Sequence, residues 1–395
     1  MSVMNAKPSV DDLLARARAM LPALRERAQE CEKLRRLPGA TAHAFADAGF
    51  FRVLQPARYG GLELDYGTHM RLAIELGQAC ASSAWVMSVI ASHAWILGMF
   101  PQAAQEEVWS DDAGALIATS FLPVAPKVEP AGDGFRLSGR WKFSSGVDLC
   151  RWALLMVPVP VPGAGAPDLR FALVDLKQAA VEDTWFVTGL AGTGSNDIVV
   201  DNVLVAPHRA LSVTGLKGGP TPGSAANPGY LYRLPLWAIF PFTLIGVAIG
   251  AARGALDAVV AGLSERKSVT QVKLAEQQSV QMRVARVAAL VNAAEASMLH
   301  RVDTLNRDAR GGRQYETLER VRYKLDLGLA ADLCVQAMET LLPLLGGRGL
   351  ISTDPVQRAW RDVHAVAQHL GLVWDVQAGL YGPVKLGLPC PDPKI

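Results

Sequence analysis

Histidine and hydroxyl side chains supply most of the groups whose types and spacing could support catalysis in this sequence. His364 and His369 follow an Arg361-Asp362 pair, three and eight residues after the arginine. Imidazole titrates near neutral pH, so a histidine beside a reacting group can take up a proton as a base. His93 lies in an otherwise apolar segment, where a buried ring needs a core partner or a ligand. The alternative for each ring is an ordinary structural histidine.

The same side chains do not predict a metal site. His364 and His369 are five residues apart, which is roughly 140° around a helix, so the two rings would not converge. The 5 cysteines are widely separated, with no Cys-x-x-Cys pair and no cluster with histidine. This spacing argues against a structural zinc site and a disulfide framework, and it favours a reducing cytoplasm.

The secondary structure that must position these groups is predicted to change twice along the chain, from helix to strand and back to helix. Residues 10–118 have helical patterning, interrupted by an aromatic, glycine-rich turn at 49–61. Short β-branched and aromatic runs between Gly, Pro and Asp turns follow, with a hairpin turn at 131–134. Apolar residues at spacings of four and three over 287–305 then predict a bundle helix. We predict an α+β fold with a helical domain (1–118), a central β domain (119–215), a loop (216–234), a helix bundle (235–381) and an irregular tail (382–395).

Charge and hydropathy narrow the classes of partner. Lys+Arg 39 against Asp+Glu 37 give a net charge of +2 without a basic cluster, so we expect no nucleic acid partner. The longest apolar stretch, residues 236–252, is at the lower limit of a membrane span and contains Pro241. A buried central helix with small residues for close packing is the preferred interpretation, and a membrane span is the alternative. No secretory signal is predicted, because no basic start precedes an apolar run.

Four segments in order along the chain resemble the acyl-CoA dehydrogenase fold. They are residues 49–61 with the helix carrying Glu75, residues 137–146 (LSGRWKFSSG), residues 189–203 with their turn GLAGTGS, and residues 346–349 (GGRG) followed by Arg361-Asp362. The resemblance covers most of residues 40–375. It implies an N-terminal helical domain, a central β-barrel or sandwich and a C-terminal four-helix bundle.

Departures from that family's catalytic pattern argue against dehydrogenation. Many acyl-CoA dehydrogenases place a catalytic glutamate nine residues after the arginine of the Arg-Asp pair, and Leu370 stands there. Leucine cannot accept a proton, so this position cannot remove the proton alpha to a thioester. Relatives with the glutamate on an earlier helix carry it near 246–253, which contain no carboxylate here. The usual Thr-Glu-Pro-Gly flavin loop is replaced by Thr119-Ser120-Phe121.

This combination resembles the oxygenase components of two-component (group D type) flavin-dependent monooxygenases, such as the hydroxyphenylacetate, dibenzothiophene and indole enzymes. The resemblance implies a reaction in which reduced FMN or FAD and O2 form a C4a-hydroperoxyflavin that hydroxylates a small phenol- or indole-like substrate. A separate flavin reductase is expected, because no nicotinamide-binding GxGxxG motif follows a strand. A cytoplasmic homotetramer with flavin near a subunit interface is also implied.

The resemblance also assigns site residues. Ser145 is expected to accept a hydrogen bond from flavin N5–H without adding charge, with Ser144 as the competing choice. His369 is expected to act as a base toward the substrate. Further candidates for flavin binding are Ser120, Trp185, Thr193, Ser195, Arg266 and Arg348, and those for substrate binding are His93, His364 and Leu370. Two alternatives stay open: an acyl-CoA dehydrogenase with a displaced base, and a catalytically silent protein of this fold.

Overall fold

Five helices form the first part of the molecule. The computed structural model describes residues 7–161, 163, 165–267 and 271–395. The helices are α1 (Val10–Leu34), α2 (Gly39–Asp47), α3 (Tyr66–Gly77), α4 (Ala81–Leu97) and α5 (Gln102–Trp109). Ser9 caps α1 through a capping box with Asp12, whose carboxylate accepts from Ser9 N at 2.9 Å. Every residue of α4 is buried, which explains why its sequence has no charged face.

Two four-stranded sheets follow the helices. The strands are β1 (Ile117–Ser120), β2 (Leu122–Ala131), β3 (Gly134–Ser144), β4 (Trp152–Val159), β5 (Asp168–Asp175), β6 (Ala179–Glu182), β7 (Asn196–Val205) and β8 (Ala210–Ser212). The sheet orders are β1-β4-β5-β8 and β2-β3-β7-β6. The predicted hairpin turn is confirmed, because Ala131 pairs with Gly134. Strand β3 runs without a break through Gly139, from Gly134 to Ser144.

The first sheet contributes to two hydrophobic cores at once. Ala153, Leu155 and Val174 point into the small core between the two sheets. Leu154 and Leu173, one residue away, join the large core formed by the helices. This alternation follows from the period of two along a strand. It packs β4 and β5 against the helices on one side and against the second sheet on the other.

The C-terminal part is helical. It contains α6 (Leu236–Ile239), α7 (Phe242–Leu263), α8 (Gln278–Arg310), α9 (Thr317–Leu341), α10 (Pro355–Ala367) and α11 (Trp374–Lys385). The apolar stripe predicted over residues 287–305 is buried along α8. Helix α11 continues through Pro383 to Lys385, so helical structure extends past the expected boundary at residue 381.

Helix α7 packs directly on the backbone of α3. A Cβ added at Gly250 would lie 2.3 Å from Ile74 O, and one at Gly254 would lie 2.2 Å from Gln78 O. The small residues noted in the sequence therefore serve close helix packing. Two helical stretches, Leu236–Leu263 and Thr317–Leu350, are long and apolar enough to span a membrane, and 61% and 50% of their most apolar windows are buried within the molecule. Such burial is usual for the core helices of a globular fold.

Candidate active site

A directional chain of hydroxyl groups lies where the end of β3 meets the turn before β7. Trp85 Nε1 donates to Ser145 Oγ at 3.0 Å, and Ser145 Oγ lies 2.7 Å from Ser195 Oγ. Ser195 Oγ is in turn 2.7 Å from Thr193 Oγ1, which donates to Leu190 O at 2.9 Å. We call Ser145, Ser195 and Thr193 the hydroxyl chain. Gly146 N donates to Thr193 O at 2.8 Å and joins the two segments.

The direction of this chain follows from the number of hydrogens available. Each hydroxyl has one hydrogen to donate and two lone pairs that accept. Thr193 uses its hydrogen on Leu190 O, so it accepts from Ser195, and Ser195 therefore accepts from Ser145. Ser145 has then used its hydrogen and one lone pair, and a single lone pair remains. Toward a ligand, Ser145 can act only as an acceptor.

Glycine allows α4 and α1 to approach this site closely. Gly146 has φ +68°, and a Cβ there would lie 2.9 Å from Val86 Cγ1 on α4. A Cβ at Gly192 would lie 2.4 Å from Cys31 Sγ on α1. Side chains at either position would push the helices away, and Trp85 would lose Ser145.

His369 is the second element of the site. It was expected within the helix that carries Arg361, but α10 ends at Ala367 and His369 lies in the turn before α11. Its ring makes an edge contact with Trp85, with centroids 5.9 Å apart. Burial, assisted by the nearby charge of Lys324, lowers the pKa of His369 to about 4, so the ring is neutral at physiological pH.

A backbone hydrogen bond fixes which nitrogen of His369 carries the proton. Gly371 N donates to His369 Nδ1 at 3.1 Å. A neutral imidazole that accepts at Nδ1 holds its hydrogen on Nε2. His369 therefore presents an N–H donor to a ligand, whereas the base expected from the sequence requires the other tautomer.

His93 has the opposite arrangement. Its Nδ1 lies 2.8 Å from Ile117 O, and since a carbonyl only accepts, Nδ1 carries the hydrogen and Nε2 is left as an acceptor. Burial lowers the pKa of His93 to about 4. Its ring stacks on Phe240 at 6.4 Å, and Phe240 contacts Phe121 at 5.0 Å. His93 thus lies between β1 and an aromatic group at the start of α7.

Asp362 holds the turn that carries the hydroxyl chain. Leu190 N donates to Asp362 Oδ1 at 2.6 Å, and the carboxylate is buried. Burial raises the pKa of Asp362 to about 6, opposed by the Leu190 N–H and by Arg361. Arg361 in turn donates to Thr188 O at 2.7 Å. The Arg361-Asp362 pair therefore fixes both sides of the turn before Gly192.

Replacing Asp362 with alanine should weaken binding of reduced flavin about tenfold, because the Leu190 N–H would be left buried without its acceptor. The same variant should unfold at a lower temperature. Asp362→Asn keeps a carbonyl oxygen for Leu190 N and should stay close to wild type. Anaerobic titration with reduced flavin and thermal unfolding measure both effects. Equal affinities for the alanine variant and the wild type would contradict this role.

Three predicted flavin ligands flank the hydroxyl chain without belonging to it. Ser144 Oγ is directed to Thr119 O at 3.4 Å. Ser120 Oγ donates to Lys142 O at 2.6 Å and ties β1 to β3. Trp185 is half-buried and donates from Nε1 to Leu190 O at 3.0 Å. Its role stays a prediction, as do those of Ser144 and Ser120.

Four other predicted residues are engaged away from the hydroxyl chain. His364 Nδ1 bonds Trp360 O at 2.7 Å, and its Nε2 lies 2.9 Å from Glu339. Arg266 donates to the carbonyls of residues 344 and 345, and Arg348 pairs with Asp354 at 2.9 Å. Leu370 lies next to His369 in the same turn and is 65% exposed.

Trp85 is the site residue that sequence reasoning missed. Its indole contacts both Ser145 and His369 and so joins the two halves of the site. The available signal was its position two helical turns before His93 on α4, which places both rings toward the same side of the helix. A tryptophan in an apolar helix is usually a core residue, so this spacing was not distinctive.

Acidification should destabilise the protein. Burial lowers the pKa of His69 to about 3 and the pKa values of His93 and His369 to about 4, whereas all three side chains titrate near 6.5 when unfolded. The unfolded chain then binds more protons below pH 6.5, and stability is lost as pH falls from there toward 4. Asp362, whose pKa is raised, acts in the opposite direction. We expect a net loss of roughly 4 kcal/mol between about pH 7 and pH 5, measured by denaturant unfolding. A denaturant midpoint of unfolding that rises on acidification would contradict this prediction.

The geometry fits the isoalloxazine ring of a reduced flavin. The hydroxyl chain offers a neutral acceptor for an N–H group, and His369 offers a neutral donor. Large apolar side chains close in sequence to Ser145 and His369 are exposed, including Phe143, Leu370 and Trp374. Apolar side chains around neutral polar groups suit a flat aromatic ligand. Among the described residues, no group of three or more His, Cys, Asp and Glu side chains could hold a metal ion.

Comparison with known proteins places this chain in a family. Residues 11–113 match the model "Acyl-CoA dehydrogenase, N-terminal domain", and residues 242–374 match "Acyl-CoA dehydrogenase, C-terminal domain". The chain is 36% identical over 399 residues to the oxygenase component of FADH(2)-dependent resorcinol hydroxylase from Rhizobium sp. (strain MTP-10005), covering 98% of this chain and 96% of that protein. The chain belongs to the oxygenase components of flavin-dependent monooxygenases.

Solved structures of other members support the fold and the cofactor class of these oxygenase components. The crystal structure of 3-HSA hydroxylase from Rhodococcus sp. RHA1 superposes with a TM-score of 0.93 at 33% identity, covering 98% of this chain and 100% of that one. XiaF from Streptomyces sp., in complex with FADH2 and glycerol, superposes with a TM-score of 0.89 at 27% identity, and each chain is 98% covered. The predicted fold class, α+β and acyl-CoA dehydrogenase-like, is confirmed, and so is the flavin-dependent monooxygenase family.

Proposed function

We propose that this oxygenase component uses reduced flavin, supplied by a separate reductase, and O2 to hydroxylate a small phenolic substrate. FADH2 is our first choice of flavin, since one relative is named FADH(2)-dependent and another binds FADH2. When bound, reduced flavin supplies the electrons that activate dioxygen for insertion into an aromatic ring. The protein then has to bind the ring, exclude water and place hydrogen-bonding groups.

The observation that carries the proposal is the fixed direction of the hydroxyl chain. Ser145 has one lone pair left, so it accepts an N–H and cannot donate in its place. Reduced flavin carries an N5–H where oxidised flavin has an unprotonated nitrogen, so Ser145 favours the reduced form. Ser195 and Thr193 hold Ser145 in this orientation. Trp85 covers one side of the chain and limits access of water.

The two neutral histidines have different roles toward the substrate: His93 accepts a hydrogen bond, and His369 donates one. His93 Nε2 accepts the hydrogen of a phenolic O–H, which makes the ring carbons more nucleophilic. His369 Nε2–H donates to an oxygen on the opposite side, where negative charge develops. Because both rings are neutral over the physiological range, neither has to change its protonation state before substrate binds.

The substrate class follows from the surroundings of His93. Phe240 stacks on His93, and Phe121 contacts both Phe240 and Trp237, with ring centroids 5.0 and 5.7 Å apart. Such a group of rings suits a flat aromatic molecule. The relative named for resorcinol supports a phenol as the substrate rather than an aliphatic compound.

We also propose a homotetramer in the cytoplasm. Leu350 is 87% exposed and Phe186 is 71% exposed, and both are large apolar side chains. A second copy of the chain would cover them. The cysteines of the described residues are free, as in a reducing compartment.

Acyl-CoA dehydrogenation is not favoured by the carboxylates near the site. Glu75 on α3 accepts from Arg18 at 2.8 Å and lies 3.5 Å from Arg253, so it is engaged in two ion pairs. Asp362 is occupied by Leu190 N. Neither group is left as a free base.

Isotope labelling tests the proposed function. Protein and anaerobically reduced FAD are mixed with ¹⁸O2 and a panel of phenols, and products are analysed by mass spectrometry. We expect one labelled oxygen in a hydroxylated phenol, with catalase present to remove free peroxide. No labelled product across the panel, together with stoichiometric hydrogen peroxide in a parallel reaction without catalase, would contradict the proposal.

A further inference from the structure

Two cysteines that are far apart in sequence meet where α1 packs against the start of α4. Cys31 lies near the end of α1, and Cys80 is the N-cap residue of α4. The two thiols hydrogen-bond directly to each other. Ser83 Oγ lies 3.2 Å from Cys80 Sγ and 4.0 Å from Cys31 Sγ, so it bridges them. We call Cys31 and Cys80 the dithiol pair.

The groups around Cys80 favour its ionised form. The Ser83 hydroxyl donates to Cys80 Sγ at 3.2 Å, and the Cys31 thiol is directed at the same sulfur. Cys80 also lies at the positive end of the dipole of a 17-residue helix. The hydrogen bond from Cys31 holds the pKa of the Cys80 thiol below its ordinary value, although burial and the charge of Asp362 act against it. Because the thiolate is the nucleophilic form of cysteine, Cys80 is the reactive member of the pair.

Cys31 is placed to supply the second sulfur of a disulfide. A thiol has one hydrogen, and that of Cys31 has two acceptors within reach, Cys80 Sγ and Gly192 O, the latter at 3.5 Å. The Cys31 sulfur can therefore turn from the carbonyl to Cys80 by rotation within its own side chain. Cys31 is 1% exposed and Cys80 is 6% exposed, so we expect only a small uncharged oxidant to reach them.

The dithiol pair adjoins the turn that carries the hydroxyl chain. A Cβ at Gly192 would lie 2.4 Å from Cys31 Sγ, so this sulfur is in contact with the residue before Thr193. Thr193 belongs to the hydroxyl chain through its bond to Ser195. On the proposed function, flavin oxidation without hydroxylation releases hydrogen peroxide beside this turn. The pair therefore lies next to a source of oxidant within the same protein.

We propose that the dithiol pair is an oxidative modification site, which hydrogen peroxide converts to a disulfide between Cys31 and Cys80. The Cys80 thiolate attacks one peroxide oxygen, so an S–O bond forms, the O–O bond breaks, and the leaving hydroxide takes a proton from solvent to become water. The Cys31 sulfur then attacks the Cys80 sulfur. The S–S bond forms, the S–O bond breaks, and hydroxide leaves with the proton of the Cys31 thiol as a second water. The two cysteines lose two electrons and hydrogen peroxide gains two.

The test adds a small excess of hydrogen peroxide to the reduced full-length protein and maps the cysteines by mass spectrometry after alkylation with N-ethylmaleimide. We expect a disulfide-linked peptide pair that contains Cys31 and Cys80, reversed by dithiothreitol, while Cys150, Cys334 and Cys390 remain free and are alkylated. Cys150 and Cys390 are more exposed than the dithiol pair, so exposure and thiolate character predict opposite orders of reaction. Oxidation of those two first, no loss of thiols, or oxidised Cys80 without a bond to Cys31 would overturn the proposal.

Serine variants separate the roles of the two sulfurs. In Cys31→Ser, Cys80 should stop at the sulfenic acid, which dimedone traps, and in Cys80→Ser, Cys31 should stay reduced. Cys334→Ser is the matched control, because Cys334 is a buried cysteine of α9 outside the pair, and burial raises its pKa to about 12. This variant should form the disulfide as the wild type does. A dimedone adduct on Cys31 in Cys80→Ser would contradict the assignment of Cys80 as the nucleophile.

Ser83→Ala tests the stabilisation of the thiolate. It removes one donor to Cys80 Sγ and should slow formation of the disulfide about tenfold. An unchanged rate would contradict the role assigned to this hydroxyl. Failure of the proposed function is distinguishable, because the peroxide is added directly and no flavin is present. It would appear as absent ¹⁸O incorporation whatever the state of the cysteines.

Discussion

Replacing His369 with alanine should lower the rate of hydroxylation by roughly 10²- to 10³-fold, the usual loss when a preorganised donor to developing charge is removed. The reason is the hydrogen bond from Gly371 N to His369 Nδ1, which leaves Nε2–H as a donor. Oxidation of bound reduced flavin by O2 should change much less. Single-turnover stopped flow with product quenching separates the two rates.

Glutamine at position 369 distinguishes a donor from a base. An amide N–H can donate but cannot accept a proton at neutral pH, so His369→Gln should recover about a factor of ten relative to alanine. His364→Ala is the matched control, since His364 is bonded to Trp360 O and Glu339. Equal rates for the glutamine and alanine variants would restore the base role expected from the sequence.

Replacing Ser145 with alanine should uncouple flavin oxidation from hydroxylation. Without the Ser145 acceptor, the N5–H of bound reduced flavin would have no partner there, and the ratio of hydroxylated product to hydrogen peroxide should fall about tenfold to a hundredfold. Hydrogen peroxide should then become the main product. Peroxide and hydroxylated product are quantified together in the same single-turnover reaction.

Ser144→Ala is the control for this effect, because Ser144 is adjacent but its hydroxyl points to Thr119 O. In this variant, flavin oxidation should stay coupled to hydroxylation as it does in the wild type. Thr193→Val should give an intermediate result, since Ser195 could then reverse and free Ser145 to donate. If flavin oxidation stays coupled to hydroxylation in Ser145→Ala but not in Ser144→Ala, the residue that contacts the flavin is Ser144 and not Ser145.

Local sequence patterns predicted most of the fold. The buried stripe on α8 follows from residues at spacings of three and four, and the β2–β3 turn follows from a glycine-rich tetrapeptide. The end of α10 was missed, because residues 368–370 have ordinary helical character. What ends the helix is tertiary: a Cβ at Gly371 would lie 2.8 Å from Pro241 Cγ, so the turn fits tightly against α7.

The site was predictable in residue type but not in chemical role. The family pattern pointed to Ser145, Thr193 and Ser195, yet the order of donation depends on a backbone carbonyl, Leu190 O, and on Trp85 Nε1, which is distant in sequence from Ser145. The tautomers of the histidines likewise depend on backbone groups. Spacing alone carries no information on which atom of a ring meets an N–H or a carbonyl.

The central claim is that this protein controls the reaction of reduced flavin with oxygen. The most direct measurement mixes protein and reduced FAD with oxygenated buffer in a stopped-flow spectrophotometer, without substrate. We predict a transient absorbance that forms before oxidised flavin appears and that decays much more slowly than free reduced flavin oxidises. Single-phase oxidation at the rate of free flavin, unchanged by the protein, would contradict the account.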